Sequence, residues 1–214
     1  MIWTVLFCAG RAAVLAGTPR FPQPGAAADA IAAFFVTRAT ADTVCAMLQF
    51  GAAIVLGILT ASAVNQMRFL GVRAAGVNIA LFGGFTASIL GVATSLAMWT
   101  LAQHGIATDT NLASALYSFA FGLGGVGYSA PLGLLIAGIA IPAGFSRLLP
   151  KWIVISGIVL AAIGEVSTLT LLFPKLVLLI PLTRFPGFLW LIAAGFALPR
   201  KVVAKRAAAG VSVQ

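Results

Sequence analysis

Charge is what this chain has least of. Thirteen Lys and Arg, four acids and one histidine are spread over 214 residues, so 8% of positions are charged, against about 25% in an ordinary soluble domain. A water-soluble fold of this size needs a polar skin that these residues cannot supply. The two cysteines, Cys8 and Cys45, provide neither a ligand spacing nor a disulfide framework, and read as small apolar residues. A lone histidine, His104, excludes paired-histidine metal or haem ligation from this chain alone. It falls in the polar stretch QHGIATDTN and reads as solvated.

What is abundant is apolar sequence: 61% of residues are hydrophobic and the mean hydropathy is +1.10. Long runs with almost no charge recur, and a run of about 18 or more reads as a spanning helix because about 20 residues cross about 30 Å of hydrocarbon. The sequence predicts an all-α, polytopic transmembrane helix bundle of about six spans, one domain over residues 1–200 with a basic cytoplasmic tail at 201–214. The lipid bilayer is its expected partner, together with a membrane-protein partner or a second copy of the chain. No cofactor is expected. The net charge of +9 reads as topological rather than as a nucleic-acid footprint, because the bases sit in short loops and the tail.

The first segment runs from Met1 to about Gly17 and ends at Thr18-Pro19. It lacks the basic start of a signal peptide and is expected to be retained. Pro19, Pro22, Pro24 and Gly25 force a non-helical excursion. Residues 26–38, with Ile31, Phe34 and Phe35 on one side, predict a short helix on the membrane surface. Further spans are expected at Val44–Val64, Val77–Ala102, Leu112–Ile141, Trp152–Leu172 and about Leu182–Leu198. The fourth is too long for one straight crossing, since thirty residues reach about 45 Å. Gly122, Gly124, Gly127 and Pro131 predict a break within it. With the N-terminus inside, Arg68, Arg73, Arg147, Lys151, Arg200, Lys201, Lys205 and Arg206 are cytoplasmic. Arg20, Arg38, Lys175 and Arg184 are then outside, with Asp29, Asp42 and Asp109. That is the asymmetry the positive-inside rule demands.

Motifs that suggest chemistry do not hold up. Gly122, Gly124 and Gly127 spell G-x-G-x-x-G, but inside an apolar span, with neither the preceding strand nor the acid about 20 residues on that dinucleotide binding requires. Gly127-Tyr128-Ser129-Ala130 places a serine in a membrane span without a base to activate it. Small residues at four-residue spacing (Gly83, Ala87, Gly91, Ser95, and Ser129, Gly133, Ala137) instead predict close helix packing.

Glu165 is the acid expected in the middle of a span, on a face shared with Gly157, Ala161 and Thr168. An ionisable group there is a functional candidate by default. Arg11 lies about 15 Å into the first span and Glu165 about 20 Å into the fifth, at about 1.5 Å per residue, so a structural ion pair is the leading expectation. A ligand or proton role for Glu165 is the alternative, as is a protonated Glu165 hydrogen-bonded to a neighbouring helix.

The stretch from Leu116 to Arg200 resembles a family of small bacterial multi-pass membrane proteins of unknown function. The resemblance rests on LYSFAFGLGGVGYSAPLGLLIAGIAI, the turn RLLPKWIVISGIVLAAIG and the ending RFPGFLWLIAAGFALPR. AAFFVTR, before the second span, is similar to that family's external segment. The N-terminus departs by being short. The resemblance implies a multi-pass fold in a bacterial cytoplasmic membrane, in line with the Ala-, Gly- and Arg-rich, Lys-poor composition, and carries no active site. The expected function is that of a non-enzymatic accessory, assembly or stress-related membrane component. The alternative is a small-solute or lipophile binder or transporter using the broken fourth helix and Glu165.

Overall fold

The computed structural model describes Val5, Pro22, Gln23 and residues 25–199. The first segment, Met1–Gly17, thus lies outside the described residues apart from Val5, as does the tail at 201–214. Helices make up the rest, and no strand occurs among the described residues. Their order is α1 (Ala28–Phe69), α2 (Ala75–Leu101), α3 (Thr110–Gly124), α4 (Val126–Phe145), α5 (Lys151–Val166) and α6 (Leu179–Ala197). Short 3-10 turns occupy Ile106–Thr108, Ser167–Leu171 and Pro174–Leu178. Five stretches are long and apolar enough to cross a membrane: α1, α2, α3 with α4, α5 with its 3-10 extension, and the Pro174–Leu178 turn with α6. Phe82, Ile89, Leu96, Trp152, Leu189 and Phe196 all point outward, a surface suited to hydrocarbon rather than water.

The expected surface helix at residues 26–38 is not separate. It is the first leg of α1, which bends at Arg38 (φ −123°, ψ 17°). Beside the bend, the Thr37 hydroxyl donates to the carbonyls of Ala33 (2.8 Å) and Phe34 (3.0 Å), and such back-bonding bends helices. Ile31, Phe34 and Phe35 are buried against Leu101, Ala107, Ala113 and Tyr117. The apolar face of this leg is therefore covered by protein, because the loop after α2 folds beneath it.

The α3–α4 stretch leaves helical geometry at Gly125 (φ −85°, ψ −98°). Pro131 lies inside α4 without ending it. Asp109 caps the start of α3, accepting from the amides of Asn111 (3.0 Å) and Leu112 (3.1 Å). α5 is only 16 residues long, about 24 Å, and its span is completed by the 3-10 turn at Ser167–Leu171.

α4 is the centre of the bundle and packs on α2, α5 and α6. Small residues let the backbones meet: a β-carbon on Gly83 would lie 2.6 Å from the Pro131 carbonyl oxygen, and one on Gly157 would lie 2.6 Å from the Trp190 ring. Where lipid offers no hydrophobic drive, such close contact supplies the dispersion attraction that holds helices together. Trp190 then donates its indole N–H to the Ile153 carbonyl (2.7 Å). Ser88 of α2 donates to the Ala53 carbonyl of α1 (2.7 Å).

Candidate functional site: a hollow with a buried carboxylate

The antiparallel contacts of α1 and α2 set a depth scale. Thr60 faces Gly84, Gly57 faces Ser88, and Ala53 faces Gly91. Carried along α1, this register puts Gln49 level with Thr94 and Asp42 level with the end of α2. Gly124 of α3 abuts Thr94 as well, at 2.6 Å from a would-be β-carbon. The helices do not close here. A cavity of about 210 Å³ lies between α1, α2, α3 and α6.

Its walls are mostly apolar: Met98, Phe121, Ile180 and Phe185 among them. Polar groups come from Asp42, Cys45, Gln49, Thr94, Tyr117 and Arg184. A smaller void of about 30 Å³ continues inward past Gln49, Thr94, Gly124, Tyr128 and Arg184. Most of these polar groups have partners. Gln49 Nε2 donates to Cys45 Sγ (3.2 Å), Thr94 to the Leu90 carbonyl (2.7 Å), and the Tyr117 hydroxyl to the Pro22 carbonyl (2.6 Å). Arg184 donates to the Gly124 carbonyl, and its guanidinium lies 4.5 Å from the centre of the Tyr128 ring. The departure from helix at Gly125 exposes that carbonyl, and a cation at the C-terminal end of α3 suits the helix dipole.

Asp42 is different. It is 1% exposed, and neither carboxylate oxygen has a hydrogen-bond partner. Arg38 is one turn away, but its guanidinium carbon sits 5.4 Å from the centre of the Phe34 ring. A buried carboxylate without partners carries a large desolvation penalty. In a native structure it demands a reason.

Both Asp42 and Arg184 were expected in external loops, and both expectations are corrected. Arg184 lies inside α6, 9% exposed, because the helix starts at Leu179, absorbing Pro181 near its first turn and Pro186 beyond. Asp42 lies within α1 and is covered by the elements around the cavity. A signal was present in both cases: each charge sits within one turn of an apolar run, which is where buried polar groups in bundles occur.

The residues singled out beforehand are dispersed. Glu165 is exposed, although its Oε1 lies 3.5 Å from where a β-carbon on Gly133 would be. The α5 face that packs inward is Ile153, Gly157, Ala161 and Gly164, and Glu165 is one residue round from it. The inward-facing carboxylate expected from the sequence is therefore not what the bundle holds. Thr168 is likewise exposed and donates to the Glu165 carbonyl (2.7 Å). Arg11 lies outside the described residues. Of the four break residues, Gly124 borders the cavity, whereas Gly122 faces outward with nothing near it. Gly127 lies 3.1 Å from the Gly122 carbonyl, and Pro131 is covered by Gly83. Ser129 is fully buried and its hydroxyl has no partner, so no base touches it. His104 is exposed in the loop after α2.

Among the described residues no group of three or more His, Cys, Asp or Glu is placed to hold a metal ion. No protein-family model matches this chain, and neither a curated protein nor a solved structure does.

Proposed function

We propose that the chain is an integral protein of a bacterial cytoplasmic membrane, with its basic end in the cytoplasm, that binds a small lipophilic molecule in the hollow beside Asp42. The observation that carries this reading is the buried carboxylate with two unpartnered oxygens at an otherwise apolar cavity. Apolar walls with a few convergent polar groups are the usual makings of a small-molecule site. At about 210 Å³ the space sits below the usual range of about 300–1,000 Å³, so the ligand is compact. The Gly125 interruption brings the end of α3 and the Arg184 guanidinium to the cavity floor, as broken helices do where membrane proteins bind solutes.

The test fills the hollow. Ala46 is a buried lining residue, and Ala46→Phe puts a ring into the space. Thermal unfolding of the detergent-solubilised protein is followed with 2-phenylethanol and 2-phenylethylamine as probes. At least one should raise the Tm of the wild-type chain and leave that of the filled variant unchanged. If neither probe acts on the wild type, the reading falls.

A second reading is favoured by Glu165. An accessory or assembly role, through a membrane-protein partner or a second copy, would cover this carboxylate. The contacts of Gly133 with Ala161 and Gly164 and of Gly83 with Pro131 put Glu165 within about 6 Å of the middle of α2, at about 1.5 Å per residue. A carboxylate facing lipid at that depth is costly, and a polar group from a neighbouring helix would relieve it. Isolation from native membranes in a mild detergent, with a stoichiometric partner lost in Glu165→Leu, would support this role. A lone monomer in both would reject it.

A further inference from the structure

We infer that the ligand of this cavity is a small amine, bound through its ammonium group to Asp42 with its apolar part against Phe121, Phe185 and Met98. The inference rests on the cavity being a binding site and adds the chemistry of what fills it. Asp42 offers two acceptor oxygens and no donor, both buried and without a partner. Only a hydrogen-bond donor satisfies them, and a cationic donor also balances the charge.

The other polar groups at the cavity narrow the choice further. Thr94, Gln49 and Tyr117 already spend donors on Leu90, Cys45 and Pro22. Arg184 is turned toward the Gly124 carbonyl and the Tyr128 ring, about 10 Å deeper than Asp42 at about 1.5 Å per residue along α1. An ammonium at Asp42 therefore lies at the mouth of the site, with the guanidinium at its floor. A cation reaching to the floor would meet Arg184, so the part of the ligand that goes deepest is neutral and apolar.

Metal ions fit poorly. A hard cation takes six or more oxygen ligands, whereas the walls around Asp42 are chiefly carbon. Aromatic and sulfur-bearing side chains, by contrast, suit an amine with a hydrocarbon body. The volume of about 210 Å³ matches one ring or a short alkyl chain.

Three probes of one shape but different charge decide the matter on the solubilised wild-type chain: 2-phenylethylamine, 2-phenylethanol and 3-phenylpropionate. Calorimetric titration and the shift in Tm are both read. The amine should bind at least about tenfold more tightly than the alcohol, the discrimination expected of one hydrogen bond to a charged group, and the carboxylate should not bind. Asp42→Asn should erase the preference for the amine while leaving any binding of the alcohol intact. Equal binding of amine and alcohol overturns the inference and leaves the cavity a neutral lipophile site. Preference for 3-phenylpropionate, lost in Arg184→Gln, overturns it in favour of an anion site. Silence from all three removes the binding site itself. Because the ranking is made on the wild-type chain, the result stands even if Asp42→Asn fails to fold.

Discussion

The two ends of the bundle are built to different standards of packing. Around α4, near the end that carries Arg68, Arg73, Arg147 and Lys151, backbones touch through Gly76, Gly83 and Gly138, and Leu135, Ile136 and Ala140 are fully enclosed. Around α3 and the start of α6, the helices stand apart and leave a hollow with a charge at either end. Close packing needs small residues facing one another at matching depth, and α2 and α4 have them in register. At the other end α1, α3 and α6 present Gln49, Phe121 and Phe185 to a common space, and the polar groups among them find their partners along their own helices. One end is dry and filled. The other has room.

Overfilling the tight end should give the largest effect. Gly83→Val would drive a branched side chain into the Pro131 carbonyl and Leu134, where backbone lies on the far side. A loss of about 3 kcal/mol is expected, at the upper end for overpacking, as a drop in Tm of the detergent-solubilised protein. A change of under about 1 kcal/mol would show the tight end to be as accommodating as the hollow one.

The hollow end should respond with the opposite sign. Asp42→Leu removes an unpartnered buried carboxylate from apolar surroundings and should raise stability by about 1–3 kcal/mol, at the expense of amine binding. A loss of stability would mean that Asp42 has a partner in the folded protein and would blur the contrast between the ends.

Trp190→Phe should cost about 1–2 kcal/mol. It breaks the indole bond to the Ile153 carbonyl and leaves the buried acceptor empty, while the ring still covers Gly157. Equal unfolding of wild type and variant would place that bond outside the energetics of the tight half.

Glu165→Gln should have the smallest effect, within about 0.5 kcal/mol, as for exposed positions without partners. A buried ion pair broken at one side would instead lose about 3–5 kcal/mol. Unfolding curves of this single variant therefore decide between a surface acid and one paired with Arg11.

Much of the architecture is legible locally. The apolar runs behind α2, α4 and α5 are long and uninterrupted, and their limits fall within a few residues of the helices, since hydrocarbon thickness and backbone hydrogen bonding dictate length without reference to neighbours. The stripe of Gly83, Ala87, Gly91 and Ser95 could be read as a packing face because four-residue spacing lies along one side of a helix. Glu165 misled because helical periodicity has a resolution of about 100° per residue: Gly164 and Glu165 are neighbours in sequence, yet one is enclosed and the other is not.

By itself, the sequence determined that the chain is helical and apolar enough to cross a membrane several times, because scarcity of charge and length of run are properties of each segment alone. Which charges are buried was decided only in the tertiary structure. Asp42 stands in a polar stretch and Arg184 between two prolines, and nothing within either segment encloses them. Their burial comes from α3 closing against α1 and from α6 beginning early enough to carry Arg184 to the end of α3. Solvation is a property of the surroundings, and the surroundings of both groups come from residues tens of positions away in the chain.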